Sequence, residues 1–507
     1  MRKLVYRRVA VVSAAIALQL GFLIAGVFWM SEYWRWVRIV LTALSWITAA
    51  FVMFDRSNPS YKIAWIVLIL AFPVAGLSLY VLFGGNRISR RENRRLEKIR
   101  ALTAEHLHQD PAQLERLAQQ DAAACNHARY LLASSGYPIL PCEQADYFSS
   151  GESCYEAMLQ ELEKAERYIF LEYFLIDGGL MWESILQILQ RKASAGVTVR
   201  VLYDDFGCIT RLPPDYPKRL AAMGISARAF NRFQPTLSKR HNNRDHRKLM
   251  IIDGRVGFTG GVNLADEYIN KIHPYGKWKD CAIRLRGEAV WPMTVMFLSS
   301  WCFAENAEED METWRPDAFQ QEAPTAGWVQ SFADSPLDGE DIGAAAYQNL
   351  IHSARKRVWI MTPYLILDDG MINTLSVAAK TGIDVRIITP GVPDKKFVHA
   401  VTRANYEPLT QAGVRIFEYR PGFLHAKVCL SDDRYAIVGT VNLDFRSLYL
   451  HFEDAVYLCS APVIDAIRED FDAVFPQCVE ITYARCRHTY LHQRLMRTLL
   501  RMFSPLM

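Results

Sequence analysis

The sequence predicts an α/β protein in which two similar lobes with mainly parallel sheets share one active site, behind a set of N-terminal transmembrane helices. Three observations carry this. A spaced motif occurs twice, at 246–263 and 425–442; a strand, helix, strand order occurs twice before it; and the first hundred residues hold three apolar runs. At 507 residues the chain has room for about three domains and a large core.

The repeated motif organises the rest. Its copies read HRKLMIIDGRVGFTGGVN and HAKVCLSDDRYAIVGTVN, so that His246 matches His425, Lys248 matches Lys427, Asp253 matches Asp432, Gly260 matches Gly439 and Asn263 matches Asn442. One such five-residue match has a chance of about one in three million per start. Two are not coincidence. Alternation in a strand puts His246 and Lys248 on one face. An ammonium beside an imidazole suits an anionic electrophile: one holds phosphate oxygens while the other attacks phosphorus or moves a proton. Asn263 and Asn442 add amide donors for the same oxygens, whereas Asp253 and Asp432 fall at turns after their strands.

The doubled His-Lys-Asp motif resembles the phospholipase D superfamily, in which two such motifs meet in one active site. The flanking Asn242-Asn243-Arg244-Asp245, Gly261-Val262-Asn263-Leu264-Ala265-Asp266-Glu267-Tyr268 and Pro421-Gly422-Phe423-Leu424 narrow the likeness to bacterial cardiolipin synthases of the membrane-anchored, two-motif type. The resemblance covers most of the chain. It implies catalytic roles for His246, Lys248, Asp253, His425, Lys427 and Asp432, with phosphatidylglycerol as substrate and cardiolipin as product. It also implies His246 as nucleophile and His425 as proton carrier, without metal or other cofactor.

Residues 1–86 are expected to anchor the chain in a membrane. Runs 9–30 and 63–85 are long enough to span a bilayer, and run 39–54 is short. Trp29, Tyr33, Trp34, Trp36 and Tyr61 sit near run ends, where interfacial aromatics collect. Arg2, Lys3, Arg7 and Arg8 precede the first run, while Arg87, Arg90, Arg91, Arg94, Arg95, Lys98 and Arg100 follow the third. Cytoplasmic placement of both clusters needs an even number of crossings. One run, the first or the short second, is therefore expected to be interfacial or re-entrant. The reading is a multi-pass protein of the cell membrane with its catalytic lobes on the cytoplasmic side. A basic linker, 87–122, would attract anionic headgroups.

The lobes are expected at 123–315 and 316–480. In the first, a helical pattern at 155–165 precedes a strand at 168–174, a helix at 182–193 and a strand at 197–202. The second repeats this with 347–354, 358–364, 372–380 and 383–388, which points to right-handed parallel crossovers. Glu305, Glu308, Glu309, Asp310 and Glu312 read as a solvated linker. Beyond each motif a further strand aligns, so that Asp280 matches Glu453; each carboxylate is expected to orient its own lobe's histidine.

Smaller features complete the picture. Arg232, Lys239, Arg240 and Arg244 crowd the approach to His246 and would steer anions, while Asp444, Arg446 and Ser447 line or brace the second motif. Tyr203-Asp204-Asp205 reads as a strand end turning at Gly207 rather than a cation site. Ten scattered cysteines lack any Cys-x-x-Cys pair and fit buried thiols. Residues 481–507 form a basic amphipathic segment, with Arg494, Arg497 and Arg501 on one side, that would lie on a bilayer or pack on a lobe. Hydrolysis to phosphatidate would use the same attacking residues, so the motifs do not separate a hydrolase from a transferase. A nuclease or nucleic-acid binder on this fold would need a basic groove on a soluble protein, and a silent scaffold would not keep both motifs intact.

Overall fold

The computed structural model describes residues 32–55, 58–84, 90–232, 243–317, 326–337 and 339–487, together with positions 17, 21, 319 and 500–502. After the short β1 (Leu140–Pro141), the first lobe is built on β2 (Gln144–Phe148), β3 (Tyr168–Tyr173), β4 (Thr198–Asp204), β5 (Ser226–Phe230), β6 (Lys248–Ile252), β7 (Val256–Gly260) and β8 (Ala282–Arg286). Their order in the sheet is β2-β8-β7-β6-β3-β4-β5. The second lobe uses β9 (Trp328–Asp334), β10 (Arg357–Met361), β11 (Asp384–Pro390), β12 (Arg415–Tyr419), β13 (Val428–Ser431), β14 (Tyr435–Gly439) and β15 (Glu453–Cys459). Its order, β9-β15-β14-β13-β10-β11-β12, repeats the first strand for strand, with β1 and β16 (Cys478–Ile481) added at the edges.

The twin lobes are as expected, but their sheets are mixed rather than mainly parallel. Only β3-β4-β5 and β10-β11-β12 run parallel. The reason lies in the connections. A helix crossover returns the chain parallel, whereas the turns after β6 and β13 are too short for that and make hairpins. Those turns use left-handed residues, Asp253 and Gly254 in one lobe and Asp432 and Asp433 in the other.

The inner faces of both sheets meet in one apolar layer that holds Phe170, Leu249 and Ile283 together with Val428, Val438 and Val456. The helix Val290–Glu305, buried along nearly its whole length, runs through this layer. Arg95 caps its far end by donating to the carbonyls of Cys302 and Phe303. Two expectations change here. The start of the first lobe differs from 123, because the helix Ala122–Ser135 packs in the second lobe's core and β1 pairs with β9. The acidic linker is also more than solvated: Glu309 makes a two-pronged pair with Arg200, at 2.7 Å for each arm.

At the N-terminus the helix Glu32–Phe54 contains a 20-residue stretch, Arg35–Phe54, of mean hydropathy 1.9, long and apolar enough to cross a membrane. The run at 63–85 is not one helix. Phe72, forced out of the helical region by Pro73, divides it into the helices Pro59–Ala71 and Pro73–Phe83. The pair is docked on the second lobe: Tyr61 stacks on Phe445 at 6.1 Å, and Asn58 donates to Asp368 at 3.0 Å. The run at 9–30 lies almost wholly outside the described residues. So do Lys239, Arg240, Arg494 and Arg497, while Arg501 donates to Asp369 at 3.1 Å.

Candidate active site

Both motif histidines stand just before the first residue of their strands, and each is fixed by the opposite lobe. The His246 amide donates to the Phe452 carbonyl at 2.8 Å, and the His425 amide donates to the Lys279 carbonyl at 2.7 Å. Through these bridges the stretch before β6 runs alongside the start of β15, and the stretch before β13 runs alongside the approach to β8. Register then decides the side-chain partners. His246 Nδ1 lies 2.9 Å from Glu453, and His425 Nδ1 lies 2.8 Å from Asp280. The expected carboxylates are present, but each serves the other lobe's histidine rather than its own. Alignment of the halves reveals equivalent positions; it carries no information on which half completes which pair.

Charge follows from this packing. Burial pushes both imidazoles down, His246 to about 3 and His425 to about 4, against the pull of their carboxylates. Burial also raises Asp280 and Glu453, but their histidines outweigh it and hold both carboxyls below their ordinary range. Each dyad near neutral pH is thus a carboxylate accepting Nδ1–H from a neutral ring, which leaves Nε2 with a free lone pair. Lys248 and Lys427 are buried beside them and lowered to about 8 and about 7 by desolvation. Lys248 acts electrostatically on both His425 and Lys427, so the cationic groups of the two lobes face one space. Each ammonium donates to the carbonyl of its own motif histidine.

The remaining motif residues divide by position. Asp253 accepts the backbone N–H groups of Glu166, Arg167 and Tyr168 at 2.7–2.8 Å, and Asp432 accepts those of Arg355, Lys356 and Arg357 at 2.7–3.0 Å. They lie at the far ends of β6 and β13, roughly 20 Å along the strand from the histidines. They are latches, and the catalytic role expected for them is not supported by where they stand. Asn263 accepts from the Leu175 amide and donates to the Tyr268 hydroxyl, while Asn442 is buried with its Oδ1 unpaired. Arg244 is buried against Asp204 at 3.6 Å rather than open to steer ligands. Asp204 itself accepts from Phe206, Gly207 and Asp245 amides, tying the strand end to the motif. Asp444 caps the helix Phe445–Tyr449, and Ser447 donates to Glu453 at 2.5 Å.

The sequence assigned no role to several lining residues. Phe174 stands edge-on to His246 at 5.0 Å, and Tyr268 does the same to His425 at 5.4 Å. Thr440 donates to Glu453 at 2.5 Å, where the first lobe has Gly261. A Cβ at Gly261 would sit 1.9 Å from Asp280 Oδ1. His451 and Trp278 flank Glu453 and Asp280 at equivalent positions. Among the described residues His246, His451 and Glu453 form the one group with metal-ligand geometry. The Glu453 oxygens already accept from His246, Thr440 and Ser447, so the group reads as a hydrogen-bonded network.

The family described as "Cardiolipin synthase, PLD-like domain" matches residues 158–273 and 347–475, and "Phospholipase D-nuclease N-terminal" matches 40–85. A cardiolipin synthase from Geobacillus kaustophilus is 32% identical over 506 residues, covering 98% of this chain and 98% of its own. The chain belongs to the cardiolipin synthase family of the phospholipase D superfamily. Its members are phosphatidyltransferases. An uncharacterized protein from Streptococcus mutans is 41% identical over 446 residues, covering 88% of this family member and 96% of its own length. Phosphatidylserine synthase from Haemophilus influenzae shares the fold, with a TM-score of 0.55 at 13% identity over 75% of this chain and 98% of its own.

Proposed function

We propose that this family member makes cardiolipin and glycerol from two molecules of phosphatidylglycerol, through a phosphatidyl group carried on His246. The observation that supports this best is the pair of crossed dyads, each presenting a neutral imidazole Nε2 beside a buried ammonium. In the first step the His246 Nε2 lone pair forms a bond to phosphorus and the bond to the glycerol oxygen breaks. Glycerol alkoxide is a strong base, so His425 gives it a proton as it leaves. Arrival of the anionic phosphate beside His425 raises its affinity for that proton. Lys248, Lys427, Asn263 and Asn442 hold the phosphoryl oxygens. In the second step His425 takes the proton from a hydroxyl of the second phosphatidylglycerol, whose oxygen displaces His246 from phosphorus.

The apolar helix Glu32–Phe54 supports placement at a membrane, with several exposed large side chains such as Trp36 and Phe51. The basic residues following Phe83 support lobes on the cytoplasmic face of a multi-pass cell-membrane protein. Product analysis tests the reading. Purified protein given phosphatidylglycerol in vesicles should release cardiolipin and glycerol in equal amounts; phosphatidate as the main product would replace transfer by hydrolysis. His246→Ala and His425→Ala should each lose at least about a thousandfold in rate while remaining folded, and full activity in either would break the shared site.

A further inference from the structure

The ends of the sheets that carry the chemistry also carry most of the lobes' exposed apolar side chains. Outside the N-terminal helices, the large apolar residues left exposed among the described residues are Leu180, Phe206, Ile272, Val377 and Phe397. Single exposed apolar residues are ordinary on a protein surface. Their distribution here is not. β6 runs antiparallel to β3 with Lys248 opposite Tyr173, and β13 runs antiparallel to β10 with Val428 opposite Met361. His246 and His425 therefore stand at the C-terminal ends of the parallel strands. Leu180 follows the end of β3, Phe206 that of β4 and Phe397 that of β11, so they share this end; Val377, on the helix Asp369–Lys380, lies apart. Contacts tie the group to the site. The Arg244 guanidinium, two residues before His246, lies 5.5 Å from the Phe206 ring. Ile272 belongs to an exposed stretch, Lys271-Ile272-His273-Pro274, that leads into Trp278, whose ring is 5.3 Å from that of His425. Lys395, next to Lys396 and Phe397, stands over the Tyr364 ring at 5.9 Å. Tyr364 lies 6.4 Å from Phe423, which lies 5.9 Å from His425.

We propose that this rim is the surface on which the lobes rest against the headgroup layer of an anionic phospholipid bilayer, with Phe206, Ile272 and Phe397 entering it. Charge fits that partner. Lys271, Lys277, Lys395 and Lys396 are exposed beside the apolar tips, and the stretch 271–277 holds no acid. The carboxylate next to Lys395, Asp394, already accepts from the Tyr364 hydroxyl at 2.6 Å. Lysines set among apolar side chains gain from anionic headgroups and from the acyl boundary beneath them together. The apolar N-terminal helices dock at the same end of the sheets, with Asn58 donating to Asp368, beyond β10, and Tyr61 stacked on Phe445. A chain held in a bilayer by those helices has this end turned to the lipid. The substrate supplies the reason. A phosphatidyl headgroup stays tied to its acyl chains, and drawing those into water costs more with every CH₂ exposed. Phosphorus reaches the buried histidines only where the mouth of the site meets the headgroup layer.

The inference rests on the reading that the substrate is a lipid in a bilayer. Its test reads position rather than turnover, so a wrong assignment of product or nucleophile leaves it intact. Full-length protein carries one added cysteine at a time, Phe206→Cys, Ile272→Cys, Phe397→Cys or Val377→Cys, labelled with an environment-sensitive fluorophore. The ten natural cysteines are buried or, at Cys478, half-buried, which directs the label to the new thiol. Val377 is the comparison, equally apolar and exposed but roughly 13 Å along its helix from Asp368. In vesicles of phosphatidylglycerol mixed with lipids brominated on their acyl chains, each rim label should lose about half of its emission or more, and the label at 377 less than about a tenth. Unchanged emission at any of the three rim positions in folded protein would overturn the inference, as would equal quenching at 377. Rim labels shielded from both lipid bromine and aqueous iodide would also overturn it, since a protein partner or a second copy of this chain would then cover the mouth.

Discussion

Four basic side chains brought together out of water cannot all stay charged. Burial takes the proton from His246 and His425 and loosens it on Lys248 and Lys427. For a cation with a lowered proton affinity, the charge is present at low pH and lost as pH rises. In the free enzyme the grip on phosphate should therefore fade as pH passes about 7 for Lys427 and about 8 for Lys248. A kcat/KM profile for phosphatidylglycerol should fall between pH 7 and 9; a plateau through pH 9 would show that neither ammonium is needed charged. At this scale the sequence was most informative where chemistry repeats, as at His246, Lys248, His425 and Lys427. It assigned no role to Phe174, Tyr268 or His451, which gain one only when folding sets them against a histidine.

At the scale of elements, the motif strands act as rulers with chemistry at one end and a latch at the other. Asp253 and Asp432 each take up three backbone N–H groups at the start of β3 and β10. Removing Asp253 strands part-buried and buried donors, at a cost of about 1–3 kcal/mol, and removing Asp432 costs less, because two of its three donors are exposed. Asp432→Ala should lower the unfolding midpoint while the specific activity of folded protein stays within a few-fold. Loss of activity with unchanged stability would return Asp432 to the chemistry. Strand and helix positions were readable from apolar alternation, as at 168–174 and 182–193. Sheet polarity was not, because it depends on how each strand returns. An Asp-Gly turn such as Asp253-Gly254 suits a hairpin, whereas the repeated strand, helix, strand order speaks only for the parallel part of each sheet. The run at 63–85 is two helices for a local reason, since hydropathy counts Phe72 and Pro73 as apolar without registering the break at Phe72.

At the scale of the molecule, neither lobe has a complete site. The strand bridges that carry His246 to Glu453 also carry His425 to Asp280, so closing the interface and completing both dyads are one event. Duplication made the twin lobes legible in the sequence, yet the same symmetry concealed the exchange of carboxylates, because own-lobe and crossed pairs align identically. The apolar N-terminal helices join this assembly through Tyr61 on Phe445, three residues past Asn442, which seats them close to the second motif. Quenching the protein during turnover with phosphatidylglycerol labelled in its phosphate, then mapping the label, tests the shared site most directly. One phosphatidyl group per chain, on His246 and absent from His246→Ala, is the expected result; label on both histidines, or on His425 alone, would contradict the account.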